Sequence, residues 1–145
     1  MSNRILSYKG LLADGGQDTI LLSTKKGEVG YKIRKFELMG INENVDYETA
    51  VQIWKEFQTT LSANVDFSDN RLLGAALYGD GANQAYRPYR LITFDQEIFN
   101  QDIYITHESV SGASIAINYY LELEVIKLDE SQAMVATLKD IRNNS

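Results

Sequence analysis

"SIAINYYLELEVIKL", residues 114–128, places Ile115, Ile117, Tyr119, Leu121, Leu123 and Val125 on one parity and Asn118, Tyr120, Glu122 and Glu124 on the other. Successive side chains of an extended chain point to opposite faces, so a period of two sustained this long predicts a strand with one buried face and one wetted face. At about 3.3 Å per residue the stretch reaches roughly 40 Å, longer than an ordinary strand and long enough to run the full length of a sandwich.

Other segments repeat the pattern. "DTILLST" (18–24) is a short apolar run behind the turn "DGGQD", and "VGYKIRKFELM" (29–39) reads as a second strand. Together they predict a hairpin across Lys25 to Gly27. In the second strand Tyr31 and Ile33 share one parity but Phe36 and Leu38 the other, which predicts a bulge or bend near Lys35. "NRLLGAALYG" (70–79), "YRLITF" (89–94) and "QDIYITHES" (101–109) read as further strands between polar turns. Many short strands at this spacing indicate an antiparallel all-β sandwich or jelly roll.

Two segments stand apart. In "YETAVQIWKEFQTTL" (47–61), Val51, Ile53 and Phe57 alternate as in a strand, whereas Val51, Trp54, Phe57 and Leu61 fit a helical face with Asp46 as N-cap. Strand and helix are both open there, and the residues alone lean to helix. In "LDESQAMVATLKDIRNNS" (128–145), Asp129 can cap, Gln132 occupies a capping-box position, and Met134, Leu138 and Ile141 share a face. A short C-terminal helix is predicted from about Glu130 to Arg142.

No internal repeat, low-complexity block or linker divides the 145 residues, so one domain over 1–145 is expected. "MSNRILSYKGLL" lacks the apolar run and cleavage site of a secretory signal, and no stretch approaches the roughly 20 apolar residues of a membrane span. The net charge of −6 argues against nucleic-acid binding, which needs a basic surface. The charge is uneven, because residues 1–40 net +3 and the remainder −9. Such asymmetry suits either a solvated basic face or association of like subunits head to side.

Zero cysteines and a single histidine leave little material for catalysis. They exclude a thiolate nucleophile or cluster and deprive triads and two-histidine metal motifs of their parts. His107, on the parity of Ile103 and Ile105 with Glu108 beside it, could titrate or ligate, but zinc and facial-triad patterns need further nitrogen ligands, so it reads as a structural or surface histidine. A metal-dependent enzyme centred on it is the third-ranked class. Asp66, Asp69 and Asn70 in "VDFSDNR" and Asp80 and Asn83 in "YGDGANQ" offer calcium donors without EF-hand spacing; turn capping explains both clusters. Trp54, Tyr78, Tyr86, Tyr89, Tyr119 and Tyr120 could stack on a sugar, though nine tyrosines against five phenylalanines also suit protein interfaces. No P-loop, dinucleotide fingerprint or serine elbow is present. No catalytic, cofactor or metal residues are assigned.

"YGDGANQAYRPYRLITF" (78–94) holds the only proline, Pro88, which suits the start or edge of a strand, while two glycines and Asn83 mark a loop tip. Tyr86, Arg87, Tyr89 and Arg90 are the expected partner contacts, since tyrosine and arginine are enriched in interface hot spots.

"DFSDNRLLGAALY", "ITFDQEIFNQDIYITHESVSG" and "INYYLELEVIKLDESQAMVATLKDIR", in this order and spacing, resemble small virion proteins of marine bacteriophages. The likeness runs from about Val45 onward and is strongest from Phe94 to Arg142; residues 1–40 match more loosely through "RILSYKGLL" and "GYKI". It implies a jelly-roll-like fold, a strand at 47–61, and a non-enzymatic capsid, decoration or tail-associated subunit, with no cofactor and no motif to transfer. Such a subunit would be made in the bacterial host's cytoplasm and reside in the virion as a homo-oligomer, with copies of itself and other virion proteins as partners. A receptor- or glycan-binding module displayed on the particle is the alternative.

Overall fold

The computed structural model describes residues 4–22, 28–42, 47–80, 89–110 and 115–127. They form eight strands: β1 (Ile5–Leu12), β2 (Gln17–Ile20), β3 (Val29–Met39), β4 (Tyr47–Trp54), β5 (Leu72–Asp80), β6 (Tyr89–Thr93), β7 (Ile103–Ser109) and β8 (Ile117–Lys127). All pair antiparallel, in a three-stranded sheet of order β1-β8-β3 and a five-stranded sheet of order β2-β7-β4-β5-β6. The expected C-terminal helix lies outside the described residues.

β8 is the decisive stretch. It bonds β1 on one side and β3 on the other, so its backbone is saturated and its side chains alone choose its faces. Ile117, Tyr119, Leu121 and Leu123 are buried, while Asn118, Tyr120, Glu122 and Glu124 lie on the outer face. Sealing each such aliphatic side chain from water contributes about 1.5–3 kcal/mol relative to leaving it exposed. The parity slip in β3 is a register shift between Ile33 and Lys35. With one extra residue there, Tyr31, Ile33, Phe36 and Leu38 all reach the core despite occupying both parities.

The expected hairpin of residues 18–24 with 29–39 is not formed. β2 pairs with β7 and β3 with β8, so these neighbours in sequence belong to different sheets. The physical reason lies in the turn before β2, where the chain is held to the five-stranded sheet. Gly15 N–H donates to His107 O at 2.7 Å and His107 N–H to Gly16 O at 3.1 Å. Asp14 accepts the Ser109 N–H and Oγ–H at 2.8 Å each. Gly15 takes φ 76°, a conformation that favours glycine.

The ambiguity at 47–61 resolves as strand to Trp54, followed by a loop with no helix. Tyr47, Val51 and Ile53 face the core. Gln52 and Trp54, on the other face, are also buried. The loop explains this, because Gln52 Nε2 donates to Ser62 O at 3.0 Å and to Asn64 O at 3.2 Å. Burial on both faces erases the alternation that would otherwise mark a strand.

One hydrophobic cluster draws on both sheets, Ile33, Leu121 and Leu123 from one, Ile53, Ile103 and Ile105 from the other. Polar ties cross it. The Tyr119 hydroxyl on β8 donates to Asp18 Oδ2 on β2 at 2.8 Å. The Tyr47 hydroxyl on β4 accepts the Ile41 N–H at 3.0 Å, just past β3, and donates to Ala116 O at 2.7 Å, just before β8. Tyr31 on β3 exchanges two backbone hydrogen bonds with Phe99, at 2.7 and 3.0 Å, and their rings stack at 6.0 Å.

The Tyr119 ring crosses over its β1 partner Gly10, where an added Cβ would come within 2.8–2.9 Å of the ring and hydroxyl. Gly10→Ala is expected to lower unfolding free energy by about 1–3 kcal/mol in urea titration, since the buried ring cannot swing clear without losing Asp18. Burial first, and then the hydrogen bond to Asp18, raise the Tyr119 phenol above its ordinary value of 10.0. The folded chain thus keeps this proton where the unfolded chain releases it, so stability falls as pH rises above about 10. Tyr119→Phe should flatten that alkaline loss when urea midpoints are compared at about pH 8 and about pH 10.5.

Candidate functional site

His107 is 0% exposed. It sits on β7 opposite Val51 on the core face of the five-stranded sheet, and its Nδ1 lies 3.0 Å from Leu12 O, where a protonated Nδ1 donates. Nε2 has no hydrogen-bond partner among the described residues. The ring therefore clasps the end of β1 to β7, and with the Gly15, Gly16 and Asp14 contacts it fixes the corner between the sheets. Among the described residues no three His, Asp or Glu side chains converge to hold a metal ion.

The first acidic turn is held by its own residues. Asp66 Oδ1 accepts the Ser68 N–H at 2.9 Å and the Ser68 hydroxyl at 2.6 Å, which holds its carboxyl below the usual range. Asp69 accepts Arg71 Nε–H at 2.9 Å and Nη2–H at 2.7 Å, and this fork holds its carboxyl low as well. Arg71 also lies 5.8 Å over the Trp54 ring and 3.8 Å from Glu56. These oxygens serve the loop that covers β4. Asn83 falls outside the described residues.

Of the aromatic candidates, Trp54 is buried and donates from Nε1 to Thr106 Oγ1 at 3.1 Å. Tyr78 packs edge-on against Tyr47 at 5.4 Å and accepts the Gly40 N–H at 3.2 Å. Tyr119 is the inter-sheet tie described above. All three are structural. Tyr120 lies on the outer face of the three-stranded sheet, its hydroxyl donating to Glu122 Oε2, a bond that raises the phenol's pKa.

Of the expected partner contacts, Tyr86 and Arg87 lie outside the described residues. Tyr89 opens β6 opposite Tyr78, and Arg90 follows it, exposed and opposite Leu77. Leu77 and Ile92 are 45% and 48% exposed on the same outer face. Arg90 thus stands in an apolar surface patch formed by the outward residues of β5 and β6.

A second surface feature carries no motif. The outer face of the three-stranded sheet holds a groove of about 520 Å³, bordered by Lys9, Leu11, Glu37, Met39, Asn118 and Tyr120. Leu11 and Met39 flank Asn118 in one cross-strand row and are 58% and 72% exposed. Lys9, Tyr120 and Glu37 form the next row. Sequence reasoning missed this face because it appears only when β1 and β3 are known to flank β8. The available signal was the outward parity of 118, 120, 122 and 124.

No protein-family model matches the chain, and no curated protein matches it significantly.

The buried corner yields a direct test of His107. His107→Ala should cost about 2–4 kcal/mol of stability in urea titration, through lost packing and an unpaired Leu12 carbonyl. Dialysis of the intact protein against a chelator should leave its melting temperature unchanged; a drop that disappears in His107→Ala would make His107 a ligand.

Proposed function

We propose that the chain is a non-enzymatic structural subunit of a bacteriophage particle, built as a jelly-roll-like β-sandwich and working by assembly with copies of itself and other virion proteins. The observation that carries this reading is the strand order. β1 pairs β8, β2 pairs β7 and β4 pairs β5, while β3 bonds through Tyr31 to Phe99, in the connection between β6 and β7. In these three strand pairs a strand counted from one end of the chain meets its counterpart counted from the other. A long antiparallel ribbon with those pairs, rolled across two layers, becomes a jelly roll of orders 1-8-3-6 and 2-7-4-5. The chain departs in one strand, since β6 bonds to β5 and extends the second sheet.

Such a roll offers broad sheet faces and clustered end loops, the surfaces from which shells and rings are tiled. The sequence likeness to marine phage virion proteins supplies the biological setting. A second reading, a receptor- or glycan-binding module displayed on the particle, is favoured by the groove over Asn118 and Tyr120, where an aromatic ring, an amide and two opposite charges meet.

Native mass spectrometry with sedimentation velocity across micromolar concentrations tests the first reading. A discrete closed oligomer, or incorporation into particles, is the expected result. A monomer at every concentration, with no affinity for particles, would overturn it, and a glycan-array signal from that monomer would install the second.

A further inference from the structure

The two outer faces carry charge rows of opposite sense. Across the three-stranded sheet the row reads Lys9, Tyr120, Glu37 on β1, β8 and β3. Across the five-stranded sheet it reads Glu108, Ala50, Leu77, Arg90 on β7, β4, β5 and β6, with Ala50 buried between the accessible charged ends. One is positive, neutral, negative; the other is negative, neutral, neutral, positive. At about 4.8 Å per strand the rows span roughly 10 and 14 Å, a difference that long Lys, Arg and Glu side chains take up.

The charges are available. Among the described residues Lys9, Glu108 and Arg90 have no ion-pair partner, and Glu37 holds only an exposed pair with Lys35 at 3.5 Å. Exposed charges by themselves are ordinary surface and contribute little. Here each row adjoins apolar surface, Leu11 and Met39 beside the groove on one face and Leu77 and Ile92 on the other. Apolar patches rimmed by polar residues mark contact sites.

Resting on the reading of the chain as a self-assembling subunit, we propose that the outer face of β1-β8-β3 in one copy docks on the outer face of β7-β4-β5-β6 in the next, with Lys9 facing Glu108, Glu37 facing Arg90, and Leu77 entering the groove over Tyr120 and Asn118. The two patches lie on different sheets of the same chain, so the contact is head to tail. Repetition closes into a ring or runs on as a filament, according to the rotation between copies. Of the four residues expected from sequence to meet a partner, Arg90 belongs to this contact.

Charge reversal tests it by sedimentation velocity of the full chain, with circular dichroism to show that the variants fold. Lys9→Glu and Glu108→Lys are each expected to weaken self-association about tenfold or more, and the Lys9→Glu/Glu108→Lys chain to recover most of the loss, because every junction then regains an opposite pair. Association of the unaltered chain should weaken with salt. If the unaltered chain assembles and neither single reversal changes it, or if the double reversal recovers nothing, the docking is overturned while the structural-subunit reading stands. A strictly monomeric unaltered chain overturns both.

Discussion

The alternation of β8 is the constraint on which the rest of the structure depends. The strand is bonded along both edges, so no part of its backbone is left to adjust. A slip of one residue against either neighbour would turn Ile117, Tyr119, Leu121 and Leu123 to water and bring Asn118, Glu122 and Glu124 inside. Its neighbours adapt to it. β3 carries inward residues on both parities and needs the bulge at Arg34 to present them all; β1 gives up a side chain at Gly10 to admit the Tyr119 ring.

The second level of specification is polar. Tyr119 to Asp18, Tyr47 to Ile41 and Ala116, and His107 to Leu12 each join elements of different sheets through a buried or half-buried group. Each such bond contributes only about 1 kcal/mol net, but leaving the group unpaired would cost more. Their effect is selective, because a core of Ile, Leu and Val accepts several relative placements of two sheets and these donors accept one. Lys55 follows the same rule beneath the loop. Its side chain is 5% exposed and its ammonium lies 2.6 Å from Glu97 Oε1, a buried charge with its counter-charge supplied.

β8, β3 with its bulge and β7 were readable in the sequence because polar and apolar parities differ along them. β5, buried on both faces from Leu72 to Ala76, and β6 were readable as short apolar runs between polar turns. β4 was ambiguous because the loop from Lys55 to Arg71 seals its second face, so Val51, Gln52, Ile53 and Trp54 are all buried and mimic a helical spacing. β1 drew no expectation, since Leu6, Tyr8, Gly10 and Leu12 make a weak inward face broken by glycine. The hairpin of β2 with β3 failed for a different reason. Adjacency in sequence is a sound guide inside one sheet, but the contacts of Asp14, Gly15 and Gly16 with β7 commit β2 to the other sheet before β3 begins.

The same distinction explains why the candidate surface was harder to read than the fold. A catalytic motif is local, and its spacing survives in the sequence; a face across these antiparallel sheets is assembled from strands distant along the chain. Lys9, Tyr120 and Glu37 span more than a hundred positions, and Glu108, Ala50, Leu77 and Arg90 come from four strands. Their charges enter the sequence only as the basic first forty residues against the acidic remainder, a bias without geometry. Strand order supplies that geometry. By setting β1 and β3 on either side of β8, and β7 and β6 at the margins of β4 and β5, it turns a diffuse asymmetry into two opposed rows on opposite sheets.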